Sequence, residues 1–168
     1  MTEKEGTPMS IASVRAYFAP FGMEDKILEF ETSSATVELA AQAAGVIPAR
    51  IAKSLSFKVD GKAILIIAAG DAKVDNSKFK AFFHTKAKML TSDEVVELVG
   101  HAVGGVCPFA IKDGVDVYLD VSLQRFDSVF PAAGSANSAI ELTCAQLEQY
   151  ACGCKGWGDF CKGWQEEA

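Results

Sequence analysis

Ile51-Ala52-Lys53-Ser54-Leu55-Ser56-Phe57-Lys58-Val59-Asp60-Gly61-Lys62-Ala63-Ile64-Leu65-Ile66-Ile67-Ala68-Ala69 is the stretch on which the fold turns. Lys53 to Val59 is strand-like, Asp60-Gly61 is a two-residue hairpin signal, and Lys62 to Ala69 returns as an apolar strand. The dipeptide carries weight because the tight turns that join antiparallel strands need positive φ at their centre, which Asp and Gly tolerate.

Working outward toward the N-terminus, Pro48 opens a short turn of helix, and Ser33 and Ser34 are positioned to cap a helix over Ala35 to Ala44, with Glu38 near its start and Gly45 as its stop. Ile27-Leu28-Glu29-Phe30-Glu31 alternates as a half-buried strand does. Thr7-Pro8 reads as a cap and first helical residue; Ile11, Val14 and Phe18 follow at helical spacing, and Pro20 and Gly22 end the helix near Ala19. Toward the C-terminus, a helix is expected from about Asp75 to Phe83 with Phe79, Phe82 and Phe83 as its buried face. Thr91-Ser92-Asp93-Glu94 is a capping box for a helix that stops at Gly100. Strands follow at Val115 to Asp120, Asp127 to Pro131 and Ser138 to Leu142, with a turn at Gly134-Ser135-Ala136-Asn137 and a closing helix capped by Thr143. Strands and helices interleave without a strict βαβ repeat, so a single mixed α/β domain with a mixed sheet is expected.

The 168 residues are enough for one compact core. The longest aliphatic run, Ala63 to Ala69, is far short of a membrane span, and five cysteines without a leader pattern point to reduced thiols and a cytoplasmic, soluble protein. A net charge of −6 argues against broad-surface nucleic-acid binding. One local exception is the segment with Lys73, Lys78, Lys80, Lys86 and Lys88.

Chemistry concentrates around His101-Ala102-Val103-Gly104-Gly105-Val106-Cys107-Pro108-Phe109. Paired glycines followed by X-Pro cannot continue a helix or central strand, and such a loop can aim amides at an oxyanion. Lys53, at a strand entrance, is a candidate fixed cation for a phosphate or carboxylate. His84 and His101 form no metal-binding pair; Cys107 with His101 is a conceivable nucleophile and base. From the residues themselves, Lys53, the glycine loop and the turn at Gly134 indicate an anion or carbonyl site and go no further.

Three blocks, Ile51 to Leu55, Val103 to Phe109, and Tyr118-Leu119-Asp120 through Phe126, Phe130 and Gly134-Ser135 to Ile140-Glu141-Leu142, resemble the YbaK/prolyl-tRNA synthetase-associated aminoacyl-tRNA editing domain. The resemblance spans roughly residues 27–147, leaving 1–26 as an N-terminal helix and connection and 148–168 as a tail. It implies a curved, barrel-like sheet flanked by helices and an aminoacyl-tRNA deacylase that hydrolyses the ester of mischarged tRNA, typically tRNA for proline. It also implies a grip on the acceptor end, prolyl-tRNA synthetase as a further partner, and neither cofactor nor metal. In that family the lysine matching Lys53 is the signature functional residue. Carried over, Lys53, Gly104 and Gly105 are the catalytic candidates, and Val106, Cys107, Pro108, Phe109, Gly134 and Ser135 the substrate-binding ones. Attack there is by water assisted by the substrate's ribose hydroxyl, which accounts for the missing triad. A non-catalytic tRNA- or synthetase-binding module and a Cys107 thiol hydrolase are the alternatives.

The tail departs from the resemblance. Cys154-Lys155-Gly156-Trp157 recurs seven residues later as Cys161-Lys162-Gly163-Trp164. With Cys144 and Cys152 it offers four thiols, but no C-x-x-C knuckle. A packed or frayed appendage is expected.

Overall fold

The computed structural model describes residues 11–164, so the Thr7-Pro8 helix start lies outside the described residues. The hairpin forms as read: β2 (Ile51–Val59) and β3 (Lys62–Ala69) pair antiparallel from Ala52↔Ala69 to Val59↔Lys62. Asp60 and Gly61 both take positive φ, 53° and 78°, the geometry a two-residue turn between twisted strands requires.

A strand as apolar as Ala63 to Ala69 must be covered on both faces, and β3 is buried from Ala63 onward. It lies inside a curled six-stranded sheet of order β8-β6-β2-β3-β5-β9. The other members are β5 (Asp116–Asp120), β6 (Ser128–Pro131), β8 (Leu142–Thr143) and β9 (Cys154–Gly158). The sheet is mixed: β3–β5, β5–β9 and β2–β6 are parallel, while β2–β3 and β6–β8 are antiparallel. Two small ribbons flank it, β1 (Ile27–Glu29) with β7 (Ser138–Ile140), and β4 (Lys73–Val74) with β10 (Cys161–Lys162). The helices are α1 (Ile11–Phe18), α2 (Val37–Ala44), α3 (Asn76–Phe83), α4 (Ser92–Glu94) and α5 (Cys144–Tyr150). None of the described helices is long and apolar enough to cross a membrane.

Local signals set most element ends. Thr91 and Thr143 both make complete capping boxes, with Glu94 and Gln146 reaching back to the cap amide. Asp75 caps α3 by accepting from the amides of Ser77 and Lys78. After α4 the backbone widens into a π-helical turn, Val95–Val99, which Gly100 stops at φ 107°.

Four expectations change. The cap of α2 is Thr36, whose Oγ1 accepts from Leu39 N, rather than Ser33 or Ser34. The Ser34 amide donates to Ala136 O at 2.6 Å, which keeps the chain extended there and delays the helix. Phe82 is 51% exposed although Phe79 is fully buried, because α3 seats only one edge on the sheet; the Phe82 ring instead leans on Phe160 and Tyr118. The strand expected over Ser138 to Leu142 breaks at Glu141, whose carboxylate turns out to meet Ser128 and Arg50.

The largest difference lies at the tail, where β9 adds a parallel edge strand to β5 and β10 closes on β4. Phe160 is 1% exposed, with its ring 5.0 Å from Phe82 and 5.8 Å from Phe83. The Asp120 carboxylate, fully buried, accepts from Phe160 N at 2.7 Å and Ser122 N at 3.0 Å. These residues belong to the core rather than to an appendage. Replacing Phe160 by alanine should therefore lower unfolding free energy by about 3–5 kcal/mol in a denaturant titration, the range for a buried aromatic; a loss below about 1 kcal/mol would return the tail to the periphery.

Candidate functional site

A cavity of about 400 Å³ opens over the Ile51 end of β2. Its floor is the β2 run Ala52, Lys53, Ser54 and Ser56; one wall is the entry to α2, Ser34 to Val37. The opposite wall is Met89, Leu90, Ser92 and Val95, and the remaining sides are Val103, Gly104 and Val106 of the glycine loop and Ala132, Ser138 and Ala139 around β7. Sequence-distant segments meet here because the curled sheet brings β6 and β7 over the start of β2, where Ile51 pairs with Phe130.

Lys53 stands on the floor, half-buried, with Nζ donating to Gly70 O at 3.4 Å. Burial lowers its pKa; Asp71 opposes that shift and Lys73 adds to it. Among the described residues lining the cavity, Lys53 is the sole ionisable side chain. Asp71 does not compete for it as an ion partner, because Arg125 holds that carboxylate through two bonds, at 2.6 and 3.0 Å, and keeps it below the usual carboxylate range.

The glycine loop is built by close approach. A Cβ on Gly105 would lie 2.7 Å from Ser135 N, so the loop packs backbone to backbone on the Gly134-Ser135 turn. Gly104, at φ 99°, sits between Ala35 and Ala136. The Gly105 amide donates to Ala102 O at 3.0 Å and so closes the turn rather than facing a ligand. Among the described residues no acceptor takes the Gly104 amide.

Not every residue singled out in sequence reaches the cavity. Val106 lines it, but Cys107, Pro108 and Phe109 turn inward. Phe109 packs edge-on against Phe18 at 4.9 Å, and Pro108 O accepts from Cys152 N. Cys107 Sγ lies 3.6 Å from His101 Nε2, yet both are fully buried and burial pushes the thiol up to about 12, the reverse of an activated nucleophile. Gly134 and Ser135 act from behind the loop, with Ser135 Oγ bonded to Asn137 and Ser138. Sequence reading passed over Ser34, Ser54 and Ser56. The hydroxyls of Ser34 and Ser54 are buried without a hydrogen-bond partner among the described residues. The alternation Ala52, Ser54, Ser56, small and polar against a neighbouring apolar strand, was the available signal.

Among the described residues no group of three or more His, Cys, Asp or Glu gathers as a metal site. Cys144 Sγ is directed at Leu123 O, and Cys161 is sealed in the core, its thiol raised to about 12 by burial and the adjoining Asp120. In the basic segment, Lys78 is tied to Asp159 Oδ1 at 2.9 Å and Cys161 O at 2.8 Å, while Lys80 and Lys86 border a separate surface cavity.

A half-barrel whose enclosed cavity presents one lysine and a tight glycine loop defines an editing-type domain, and the family profile of the aminoacyl-tRNA editing domain matches residues 31–150. This chain belongs to that family. It is 55% identical over 158 residues to the uncharacterized protein YwhH of Bacillus subtilis (strain 168), covering 94% of this chain and 100% of that one. The proline–tRNA ligase of Staphylococcus aureus (strain Newman) is 32% identical over 84 residues, 49% of this chain and 15% of the ligase. Among solved structures, a putative trans-editing enzyme for prolyl tRNA synthetase superposes with a TM-score of 0.81 at 28% identity, covering 91% of this chain and 97% of that one. The hypothetical protein APE2540 shares the fold, with a TM-score of 0.74 at 24% identity over 86% of this chain and 99% of that one.

The Gly105 contact yields a stability test. Gly105→Ala forces a Cβ into the Ser135 backbone and should cost about 1–3 kcal/mol by overpacking. Gly114→Ala, where a Cβ meets nothing within 4 Å and only φ 90° is unfavourable, should cost about 1–2 kcal/mol. Thermal melts of the two variants read the comparison, and only Gly105→Ala should also disturb the cavity, seen as weakened ligand binding.

Proposed function

We propose that this chain is a trans-acting aminoacyl-tRNA deacylase that hydrolyses the ester of mischarged tRNA, with tRNA for proline as the first substrate to test. The observation that carries the reading is the cavity itself, which holds one lysine and a shaped glycine loop and no nucleophile–base pair among its described lining residues. Its volume of about 400 Å³ suits an aminoacyl group with part of its adenosine. Membership of the editing-domain family, and the likeness to a putative trans-editing enzyme, support the same chemistry.

In this reading the acceptor end enters between Met89 and Val103, and the acyl carbonyl comes to rest between Lys53 and the Gly104 amide. Ester hydrolysis adds a water oxygen to the carbonyl carbon, gathers negative charge on the carbonyl oxygen, and then expels the ribose oxygen, which takes up a proton. Lys53 and the Gly104 amide stabilise that developing charge, and a half-buried ammonium does so more strongly than an exposed one. The ribose hydroxyl next to the ester relays the proton: it receives one from the attacking water as it gives its own to the departing ribose oxygen, so no protein base is required. Cys107, sealed and protonated, has no part in it. The enzyme works in the cytoplasm, beside or in contact with prolyl-tRNA synthetase.

Purified protein offered a panel of mischarged tRNAs should release amino acid from at least one of them. Release from none, with tRNA still bound, would favour a binding module. Lys53→Ala should lower deacylation at least tenfold with an unchanged melting temperature, an effect of about 1.4 kcal/mol or more on the barrier. Cys107→Ala should keep turnover within about threefold, as expected for a residue outside the reacting set; its complete loss in a folded variant would restore the thiol mechanism.

A further inference from the structure

The tetrad Cys-Lys-Gly-Trp occurs twice in the tail, and the two copies are built alike. Each cysteine begins an edge strand, β9 or β10, and each glycine has positive φ, 111° at Gly156 and 92° at Gly163. Each tryptophan then covers a polar neighbour: Trp157 Nε1 donates to Glu148, and Trp164 lies 4.9 Å from the Arg125 guanidinium. The lysines differ. Lys155 meets a carboxylate, Asp116 Oδ1, at 3.7 Å. Lys162 is placed directly opposite Lys73 in the β4–β10 ribbon.

Like charges paired across an antiparallel ribbon are destabilising, since the two Cβ atoms stand only about 4.5–5.5 Å apart. Both lysines are exposed, and neither has an ion-pair partner among the described residues. The nearby carboxylates are already engaged: Asp71 is held by Arg125, and Asp75 caps α3. Among the described residues no ion pair offsets this repulsion; Asp75, which caps α3, is near enough to Lys162 to attract it, and an anion bridging the two ammonium groups would offset the rest.

Position indicates which anion. Lys53 donates to Gly70 O, the chain turns at once through the Ala72 N to Ala69 O bond, and Lys73 follows, exposed, directly after that turn. The Lys73–Lys162 pair thus follows within three residues of the carbonyl that holds Lys53, and Lys73 is near enough to act electrostatically on Lys53. On a chain of net charge −6, such a pair is a focal point for a polyanion. A nucleic acid whose terminal ester occupied the cavity would carry its last phosphodiesters just outside.

We infer that Lys73 and Lys162 form a phosphodiester-binding pair near the cavity lysine, gripping the single-stranded acceptor end of tRNA. This rests on the deacylase reading for the choice of nucleic acid. The pair is half supplied by β10, beyond the residues 31–150 that match the editing-domain family. It also replaces the wider lysine segment as the grip, because Lys78 is consumed internally.

The test uses the full chain and four probes: uncharged cytidyl-cytidyl-adenosine, adenosine, inorganic phosphate, and a mischarged tRNA for proline. Lys73→Gln and Lys162→Gln should each weaken the trinucleotide about three- to tenfold at low salt and reduce the slope of log affinity against log salt by about 0.7, the single-strand value per contact. Adenosine binding should not change, and Lys155→Gln, the matched copy, should behave as wild type. Without nucleic acid, Lys162→Gln should melt at the same or a higher temperature, since it removes repulsion. Trinucleotide binding unchanged in both variants, an equal loss for adenosine, or inorganic phosphate binding as tightly as the trinucleotide would overturn the pair. The deacylase reading fails separately: a wild type that binds the trinucleotide through these lysines but releases no amino acid from any mischarged tRNA keeps the pair and loses the reaction.

Discussion

The structure depends on the burial of one strand. Leu65 to Ala69 of β3 have no exposed surface, and covering an apolar strand on both faces needs layers on either side as well as strands on either edge. Each fully buried Leu or Ile contributes about 1.5–3 kcal/mol relative to exposure, so the run from Ile64 to Ile67 is a large share of the driving force. The hairpin supplies β2 on one edge. The other edge is taken by β5, which arrives parallel and therefore only after a long crossover, through α3, α4 and the glycine loop. The loop that shapes the cavity thus lies within the connection that completes the cover of β3.

Where β3 ends, the same constraint creates the site. A Cβ on Gly70 would lie 2.1 Å from Pro48 O, so the turn before β2 sits directly on the end of β3. That contact brings the start of β2, with Lys53, level with the Gly70 carbonyl that receives its ammonium. A lysine at this position is shielded enough for its charge to act at short range and open enough on one side to meet a ligand. Its other side is apolar strand, which cannot neutralise it. The cavity's cationic character therefore follows from where β3 stops and from the absence of a carboxylate among its described lining residues.

The features legible in sequence are those decided within a few residues. Asp60-Gly61, the capping boxes at Thr91 and Thr143, and the stops at Gly45 and Gly100 each rest on a local backbone requirement, and each is present. What could not be read is set by distant partners. Thr36 rather than Ser33 begins α2 because Ala136, a hundred positions away, pins Ser34. Cys107 to Phe109 face inward because α1 and α5 present Phe18 and Tyr150 to that side of the loop. The tail's seven-residue repeat carries no strand alternation, since a strand as glycine-rich as Cys154–Gly158 is specified by β5 alongside it and by a bulge between Val117 and Tyr118 rather than by its own side chains. For the site, Lys53 and the glycine loop were visible as residue types, but Ser34 and Ser54 became part of it only through the curl of the sheet.

The tail and the cavity are linked at Asp71, one residue beyond the carbonyl that holds Lys53. Its carboxylate is clamped by Arg125, whose guanidinium lies between the rings of Phe126 and Trp164, 4.9 Å from each. Arg125 also donates through Nε to Ser122 O, and the Ser122 amide in turn donates to the buried Asp120 carboxylate that takes the Phe160 amide. A carboxylate as deeply buried as Asp120 is tolerated because charge-assisted bonds from backbone amides replace the water it loses. These bonds run without interruption from the tail to the turn at Gly70. The tail therefore closes the β5 edge of the sheet and, through Asp120, Ser122 and Arg125, steadies the turn whose carbonyl accepts from Lys53.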